Sequence, residues 1–328
     1  MTSAYPMKHY SADFDYKDFA APFNEQIQRW DPDAWGNLFQ RAGARYVVLT
    51  TKHHDGFLLW PSRHPNPRIP NYHATRDLVG ELTQSITAHG MKMGVYYSSL
   101  LDWSFTSEPI EQIGELMTRA SPSPLYRDYV ENHWKELIDR YDPWVLWGDI
   151  GYPPSYNLAE LFAYFYNHKP EGVVNDRWRQ LPRFMFNPVG TFVMKQIMKA
   201  MVKRMLQSST PTQPQVPHCD FATTEYSYFQ EAPAFKWEAC RGIGYSFGYN
   251  RAETEDHYLK APELIRALVS IVSANGNLLL NVGPRADGSI PDPQVKALEG
   301  IGQWLAANGE AIYGTRPWTR IKDEGAHG

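Results

Sequence analysis

The chain has 328 residues, of which 43% are hydrophobic and 14% aromatic, so it can bury a large core and is not intrinsically disordered. Its formal net charge is −4, and it carries no basic stripe of the kind that binds nucleic acid. The two cysteines, Cys219 and Cys240, form neither a disulfide framework nor a CxxC metal site, and we expect both to be small buried apolar residues.

The N-terminus does not resemble a targeting segment. Residues 1–9 lack the basic and apolar regions of a signal peptide. No window of the chain approaches the roughly 18 uncharged apolar residues of a membrane span. We therefore expect a soluble, cytoplasmic protein.

Helices and strands alternate from the first regular segment onward. Residues 13–23 fit one short helix. Asp31 is an N-cap followed by Pro32, and Ala42-Gly43 closes the helix that they begin. Residues 45–49 then form an apolar, β-branched strand, and the polar stretch 50–56 starts where this strand stops.

The same unit repeats along the chain. Predicted helices cover residues 76–89, 124–141, 157–167 and 263–273, and predicted strands cover residues 91–97, 144–149, 172–175 and 277–282. This alternation is typical of βα units with right-handed crossovers and a parallel sheet. The simplest closed form is a TIM-like (β/α) barrel of the α/β class, with its site at the carboxyl ends of the strands. An open doubly wound sheet is the alternative, although no glycine-rich phosphate loop supports it.

One segment interrupts the alternation. Residues 190–207 predict a helix with a broad apolar face, and a linker rich in Pro, Ser, Thr and Gln follows at residues 208–217. The helix fits three roles: packing on the barrel, contact with another subunit, or contact with a membrane surface. We predict one catalytic domain over residues 1–328, with a helical insertion at about residues 184–217.

Asp149 lies where chemistry is expected. Residues 144–147 predict a buried strand that ends at Asp149, and Gly151 and the turn pair Pro153-Pro154 follow it. In parallel α/β proteins the catalytic groups collect at this end of the strands. A single Asp in this position can also simply cap the next element.

Other polar and aromatic groups fall at the same end of the predicted strands. They are His53, His54, Tyr96, Trp147, Arg177, Glu225 and Glu238. Two carboxylates with imidazoles and aromatic rings suit a glycosidase, and a retaining one needs an ionised nucleophile about 5–5.5 Å from a protonated acid. A nearby Arg would keep Asp149 ionised, whereas a partly buried Glu would keep its proton longer.

The pair His53-His54, followed by Asp55, also allows a metal-dependent hydrolase. Two such histidines with Asp149 could bind zinc or another metal. Adjacent residues of an extended chain point to opposite sides, however, so both could ligate one ion only if the chain turns there.

Several stretches resemble the α-L-fucosidases of glycoside hydrolase family 29. The similarity runs in order from about residue 10 to residue 318, and the matching motifs are Thr-Thr-Lys-His-His-Asp-Gly-Phe (50–57), Gly-Val-Tyr-Tyr-Ser (94–98), Leu-Trp-Gly-Asp-Ile-Gly (146–151), Val-Asn-Asp-Arg-Trp (174–178), Gly-Tyr-Ser-Phe-Gly-Tyr-Asn (244–250) and Gly-Asn-Leu-Leu-Leu-Asn-Val-Gly-Pro (276–284). Each motif alone is weakly specific, but together they are highly specific.

The resemblance implies a retaining exo-fucosidase on a (β/α) barrel, acting on fucosylated oligosaccharides or glycoconjugates without a metal or other cofactor. Asp149 matches the family nucleophile. Glu225 is the better match for the acid/base, and Glu238 is the second choice. The resemblance places the sugar-binding residues at His53, His54, Tyr96, Trp147 and Arg177, and we expect Phe247 to face the fucose methyl group.

Two family features have no match here. Family members usually start with a barrel strand bearing His-Trp-Gly, followed by a loop bearing Glu-Trp-Tyr, and residues 1–23 contain neither. The usual C-terminal β-sandwich is also missing. We therefore expect a barrel that is incomplete or irregular at its N-terminus, with homo-oligomer contacts through the 190–207 helix or the open edge. A fucose-binding or catalytically weakened homologue is the alternative function.

Overall fold

The computed structural model describes residues 14–106, 123–154, 156–182, 186, 187, 189, 190, 192, 193, 196 and 216–318. Its α-helices are α1 (Ala20–Gln26), α2 (Pro32–Arg41), α3 (Leu78–Ala88), α4 (Pro124–Tyr141), α5 (Leu158–His168), α6 (Ala261–Ser273) and α7 (Asp292–Asn308). Its strands are β1 (Tyr46–Lys52), β2 (Lys92–Ser98), β3 (Val145–Asp149), β4 (Val173–Val174), β5 (Ala222–Glu225), β6 (Trp237–Gly242) and β7 (Gly276–Asn281).

The strands form two parallel sheets. One sheet has the order β1-β2-β3-β4 and the other the order β5-β6-β7, and every pairing is parallel. Helices cover the outer faces, as parallel strands require for burial on both sides. The predicted (β/α) barrel architecture is thereby confirmed.

The two sheets meet at β4 and β5. The backbone N–H of Asp220 donates to the carbonyl of Val174 at 2.9 Å, and the carboxylate of Asp220 accepts from the N–H of Val174 at 2.7 Å. Asp176 then accepts from the backbone N–H and the hydroxyl of Thr223. Aspartate side chains thus continue the hydrogen bonding where β4 is only two residues long.

Over the described ranges of the chain, the opposite side of the barrel, between β1 and β7, is open. Among the residues that the structure describes, no backbone hydrogen bond joins these two strands. Helices α2 and α7 and the residues that follow them bridge the opening instead: Arg41 of α2 pairs with Glu299 of α7 at 3.4 Å, and the Tyr313 hydroxyl, after α7, donates to the carbonyl of Gly43, after α2, at 2.6 Å. A cavity of about 880 Å³ lies between the two strands.

Local sequence explains where the helices begin and end. The Asp31 carboxylate accepts from the N–H of Asp33 at 3.0 Å, and Pro32 occupies the first helical position of α2. At the start of α4, Ser123 is the N-cap and Pro124 occupies the first helical position. The helix ends where Asp142 adopts a left-handed conformation. The predicted boundaries of α4 match the observed ones.

The predicted elements are confirmed to within a few residues, with three omissions. Strands β5 and β6 and helix α7 were not predicted as regular elements. Cys240 is buried as expected, but the expectation for Cys219 is wrong, because it is only half-buried. Most of the predicted 190–207 helix lies outside the described residues, as does most of the 184–217 insertion.

Candidate active site

Strand β3 ends at Asp149, at the rim of the barrel. Val145, Trp147 and Asp149 alternate along the strand and point to one side of the sheet, and all five residues of β3 are buried. The chain turns sharply after Asp149, with φ of 63° at Ile150 and 111° at Gly151. A Cβ at Gly151 would lie 2.5 Å from the carbonyl oxygen of Arg179, so this turn requires glycine.

Asn175 fixes the backbone beside Asp149. Its side-chain oxygen accepts from the N–H of Gly148 at 3.0 Å, and its amide donates to the carbonyl of Gly148 at 2.9 Å. Asn175 is fully buried. The side chain thus replaces the strand pairing that β4 is too short to supply and holds the end of β3 in place.

Two side chains bind the Asp149 carboxylate. The Tyr96 hydroxyl donates to Oδ2 at 2.6 Å, and Nη1 of Arg177 lies 3.2 Å from Oδ1. Burial by itself would raise the pKa of Asp149, but Arg177, Tyr96, His54 and the Ile150 N–H together outweigh it and hold this pKa below its usual value. Asp149 is therefore ionised at neutral pH, the state that a nucleophile requires.

Glu225 contacts the same arginine as Asp149. Glu225 is the last residue of β5, and its Oε1 lies 2.6 Å from Nη1 of Arg177. One nitrogen contacts both carboxylates, at 3.2 and 2.6 Å, so the two oxygens lie within 5.8 Å of each other. The Glu225 side chain is 44% exposed, whereas that of Asp149 is 12% exposed, and this difference places Glu225 on the solvent side of the pair.

His53 and His54 follow the last residue of β1, and their rings lie 3.9 Å apart. Burial lowers the pKa of both imidazoles, and in His54, where the neighbouring His53 adds to the effect, the pKa falls to about 3. Both rings are therefore neutral at pH 7. A neutral imidazole offers one donor and one acceptor, the combination needed to bind a hydroxyl group.

The tautomer of His54 follows from its neighbours. Its Nδ1 lies 2.7 Å from the Ser98 hydroxyl oxygen, and that hydroxyl donates to the carbonyl of Leu101 at 3.1 Å. With the Ser98 hydroxyl proton directed at Leu101, Nδ1 of His54 is the donor to Ser98. Its Nε2 is left as an acceptor for a ligand hydroxyl.

Trp147 forms a flat platform behind these groups. Its ring stacks on that of Tyr96 with centroids 5.4 Å apart, and the guanidinium carbon of Arg177 lies over the Trp147 ring, 4.8 Å from the ring centroid. The indole N–H donates to Glu238 Oε1 at 2.9 Å, and the Tyr46 hydroxyl donates to Oε2 of the same carboxylate at 2.5 Å. Burial raises the pKa of Glu238, although the hydrogen bonds from Tyr46 and Trp147 oppose that effect.

The cavity between β1 and β7 extends to this group of residues. Six of the predicted site residues line it: His53, Tyr96, Trp147, Asp149, Glu225 and Phe247. Arg177 and His54 contact these residues directly. Phe247 is half-exposed and packs against Tyr226 with centroids 5.2 Å apart, so it offers an apolar surface to the cavity.

Glu238 is placed differently from Glu225. It is the second residue of β6 and is only 3% exposed, so it lies in the barrel interior and not at a strand's carboxyl end. The predicted acid/base roles of Glu225 and Glu238 stay predictions. Their surroundings differ in the way that favours Glu225, since only Glu225 lines the cavity.

The described residues provide no metal site. In the part of the chain that the structure describes, no three His, Cys, Asp or Glu side chains are grouped so that they could hold a metal ion. These residues therefore offer no set of metal ligands that would support the metal-dependent hydrolase. Among the same residues, no helix combines the length and the apolar character that crossing a bilayer requires.

Three site residues were missed from sequence. Ser98 and Asn175 are polar residues at the ends of apolar strands, and that position is the signal that could have revealed them. Tyr46 gives no such signal, because its partner Glu238 is 192 positions away. Only the packing of strands across the barrel interior brings them together.

Comparisons with known proteins agree on one family. A family model described as alpha-L-fucosidase matches residues 1–310. Tissue alpha-L-fucosidase of Mus musculus is 34% identical over 334 residues, which cover 97% of this chain and 63% of that protein. Alpha-L-fucosidase of Dictyostelium discoideum is 32% identical over 330 residues, with coverage of 97% and 62%.

Solved structures show the same similarity. The crystal structure of Thermotoga maritima alpha-fucosidase in complex with fucose matches with a TM-score of 0.80 and 42% identity, covering 97% of this chain and 65% of that one. The chain thus spans just under two thirds of the length of the relatives that it matches.

Proposed function

The chain belongs to the alpha-L-fucosidase family, and from this premise we propose that it is an exo-acting glycoside hydrolase that cleaves terminal α-L-fucosides with retention of configuration. The observation that carries the proposal is the single Arg177 nitrogen that contacts the carboxylates of both Asp149 and Glu225. The Thermotoga maritima relative was solved with fucose, which supports fucose as the sugar.

The spacing of the two carboxylates favours retention. Retaining glycosidases hold their two carboxyl groups about 5–5.5 Å apart, and inverting enzymes hold them about 6.5–9.5 Å apart to admit a water molecule. The upper limit of 5.8 Å between Asp149 Oδ1 and Glu225 Oε1 agrees with the first geometry.

In the first step, an Asp149 oxygen forms a bond to the anomeric carbon of fucose, and the bond from that carbon to the leaving oxygen breaks. Glu225 transfers its proton to the leaving oxygen, exchanging its contact with Arg177 for a contact with the substrate. Tyr96 and Arg177 hold Asp149 ionised and oriented for this attack. A covalent fucosyl-enzyme results.

In the second step, Glu225 accepts a proton from water while the water oxygen bonds to the anomeric carbon. The ester bond to Asp149 breaks, and two inversions together give net retention. The neutral His53 and His54 bind sugar hydroxyl groups, and Phe247 receives the methyl group that fucose carries in place of a hydroxymethyl group. The natural substrates are fucosylated oligosaccharides or glycoconjugates.

The test of the nucleophile is hydrolysis of a nitrophenyl α-L-fucoside by the wild type and by Asp149→Ala, with and without azide. We expect turnover by the wild type, loss in the variant, and azide rescue of the variant that yields a β-fucosyl azide. A fucosyl azide of unchanged configuration, or full activity of Asp149→Ala, would contradict the assignment.

The test of the acid/base compares Glu225→Ala with Glu238→Gln. Removing a general acid/base lowers the rate by about 10²–10⁴-fold. We expect this loss in Glu225→Ala, smaller for nitrophenol leaving groups than for sugars, and rescue by azide with retained configuration. If Glu238→Gln suffers the loss and Glu225→Ala does not, the assignment to Glu225 is wrong.

A fucose-binding protein with little turnover is the second candidate. The observation that favours it is the opening between β1 and β7, through which the cavity beside Asp149 continues, because water exclusion is part of catalysis in closed sites. Calorimetric binding of L-fucose by a wild type that releases no nitrophenol would favour this candidate.

A further inference from the structure

The interior carboxylate of Glu238 connects three strands of the barrel. Its Oε1 accepts from Trp147 of β3 at 2.9 Å, and its Oε2 accepts from Tyr46 of β1 at 2.5 Å. Glu238 itself belongs to β6, in the other sheet. The hydrogen bonds therefore cross the barrel interior and tie the four-stranded sheet to the three-stranded one.

Trp147 contacts both side chains that bind the Asp149 carboxylate. One partner, Tyr96, stacks on the indole with ring planes 26° apart and donates to Oδ2. The other partner, Arg177, lies over the same indole and contacts Oδ1. A rotation of the indole would displace the two groups that bind and orient the carboxylate.

We propose that Glu238 is a positioning residue, which holds the Trp147 ring in the one orientation that lets Tyr96 and Arg177 bind Asp149 together. This inference rests on the proposed function for its kinetic consequences, but the geometry at Asp149 can be measured without turnover. Glu238 contacts the site through Trp147, is only 3% exposed, and does not line the cavity.

Two substitutions separate the hydrogen bond from the charge. Glu238→Gln keeps a carbonyl oxygen for the indole N–H, and its amide can donate to the Tyr46 oxygen. Glu238→Leu keeps the approximate volume and removes every acceptor. We expect kcat/KM of the Gln variant to be close to that of the wild type, and kcat/KM of the Leu variant to fall by about 10²-fold, the loss that a misplacement of about 1 Å causes.

The diagnostic readout is the acid limb of the pH profile. If the indole tilts, Tyr96 and Arg177 bind Asp149 less well, so the limb of kcat/KM moves to higher pH in Glu238→Leu and stays in place in Glu238→Gln. Should Glu238→Leu not fold, Trp147→Phe breaks the same hydrogen bond from the donor side and shifts the limb in the same direction.

Glu136 provides the matched control. It is a buried carboxylate on α4 that accepts from the indole N–H of Trp60 at 3.2 Å, outside the site. Glu136→Gln and Glu136→Leu should lower the melting temperature and leave the acid limb in place. A limb that moves equally in both Leu variants would reduce the Glu238 effect to general destabilisation and overturn the proposal.

Carbon-13 NMR titration of the Asp149 carboxyl, assigned through Asp149→Asn, completes the experiment. We expect it to titrate at higher pH in Glu238→Leu than in the wild type and in Glu238→Gln. Equal titration in all three proteins would overturn the proposal whether or not the enzyme turns over. If the wild type has no activity but the NMR shifts are as expected, the proposed hydrolase function is contradicted and the positioning role of Glu238 is supported.

Discussion

Among the groups that lower the pKa of Asp149 against the effect of burial, Arg177 has the largest influence. Replacing it by Met removes that influence, so the pKa of Asp149 rises. Activity is lost as pH falls through this pKa, and the acid limb of kcat/KM in Arg177→Met should therefore lie at higher pH than in the wild type. A pH series on a nitrophenyl α-L-fucoside measures the shift.

Arg179→Met is the control for that series, because Arg179 lies two positions away with an exposed side chain. Its acid limb should coincide with that of the wild type. The same ion pair also has a stability consequence. Because the folded pKa of Asp149 lies below its unfolded value of about 4, the pair contributes stability that is present above that pH and is lost as pH falls through the folded pKa.

Sequence identifies single site residues better than their partners. Asp149 could be predicted because an apolar strand ends in a lone carboxylate. The sequence could predict that Arg177 lies near Asp149, but not that the two side chains form an ion pair. That Glu225, 48 positions away, contacts the same arginine depends on how β5 packs beside β4. Cross-barrel pairs such as Trp147 and Glu238 depend on strand register, which no local pattern contains.

At the level of single elements, the packing of β3 requires a glycine at position 148. A Cβ at Gly148 would lie 2.7 Å from the ring of Trp178, a fully buried residue. Gly148→Ala must displace this ring or the strand, and overpacking of this kind costs about 1–3 kcal/mol. We expect a lower midpoint in urea and, because Asp149 is the next residue, a lower kcat.

Gly248→Ala is the comparison for that measurement, since a Cβ there would meet nothing within 4 Å. Its unfolding free energy should stay within about 0.5 kcal/mol of the wild-type value. An equally stable Gly148→Ala would show that Trp178 can move at no cost, contrary to the dense packing around it.

Two strands escaped prediction because they carry polar and charged residues. Strand β5 reads Ala-Thr-Thr-Glu, and β6 carries Glu238 and Arg241 within six residues. In an apolar core such charges would argue against a strand. Here Glu238 accepts hydrogen bonds from Tyr46 and Trp147, and Arg241 donates to the Tyr228 hydroxyl. Tertiary contacts thus override the local pattern. The apolar strands β2, β3 and β7 were readily predicted.

At the scale of the whole molecule, β1 and β7 each have one strand neighbour within the part of the chain that the structure describes. Backbone amides of a parallel strand point alternately to its two sides. We expect every second amide within residues 46–50 and 277–280 to exchange hydrogen for deuterium faster than the amides of β2, which has neighbours on both sides. Exchange followed by NMR provides the measurement.

Uniform slow exchange across β1 and β7 would contradict this expectation, because it would mean that these edges are covered in solution. The apolar side chains along them, including Val47, Val48 and Leu279, are only half-buried. The alternation of helices and strands could predict the parallel architecture. The geometry of the opening could not be predicted, because it depends on how α2 and α7 meet.

The cavity behind that opening also links the stability of the fold to small molecules in solution. About 880 Å³ lies between β1 and β7, and part of its lining is apolar, including Val47, Leu279 and Leu280. A molecule that binds the folded chain there and not the unfolded chain raises the free energy of unfolding by about 2.7 kcal/mol at a concentration 100 times its Kd. The melting temperature would then depend on the concentration of that molecule, even without contact to Asp149.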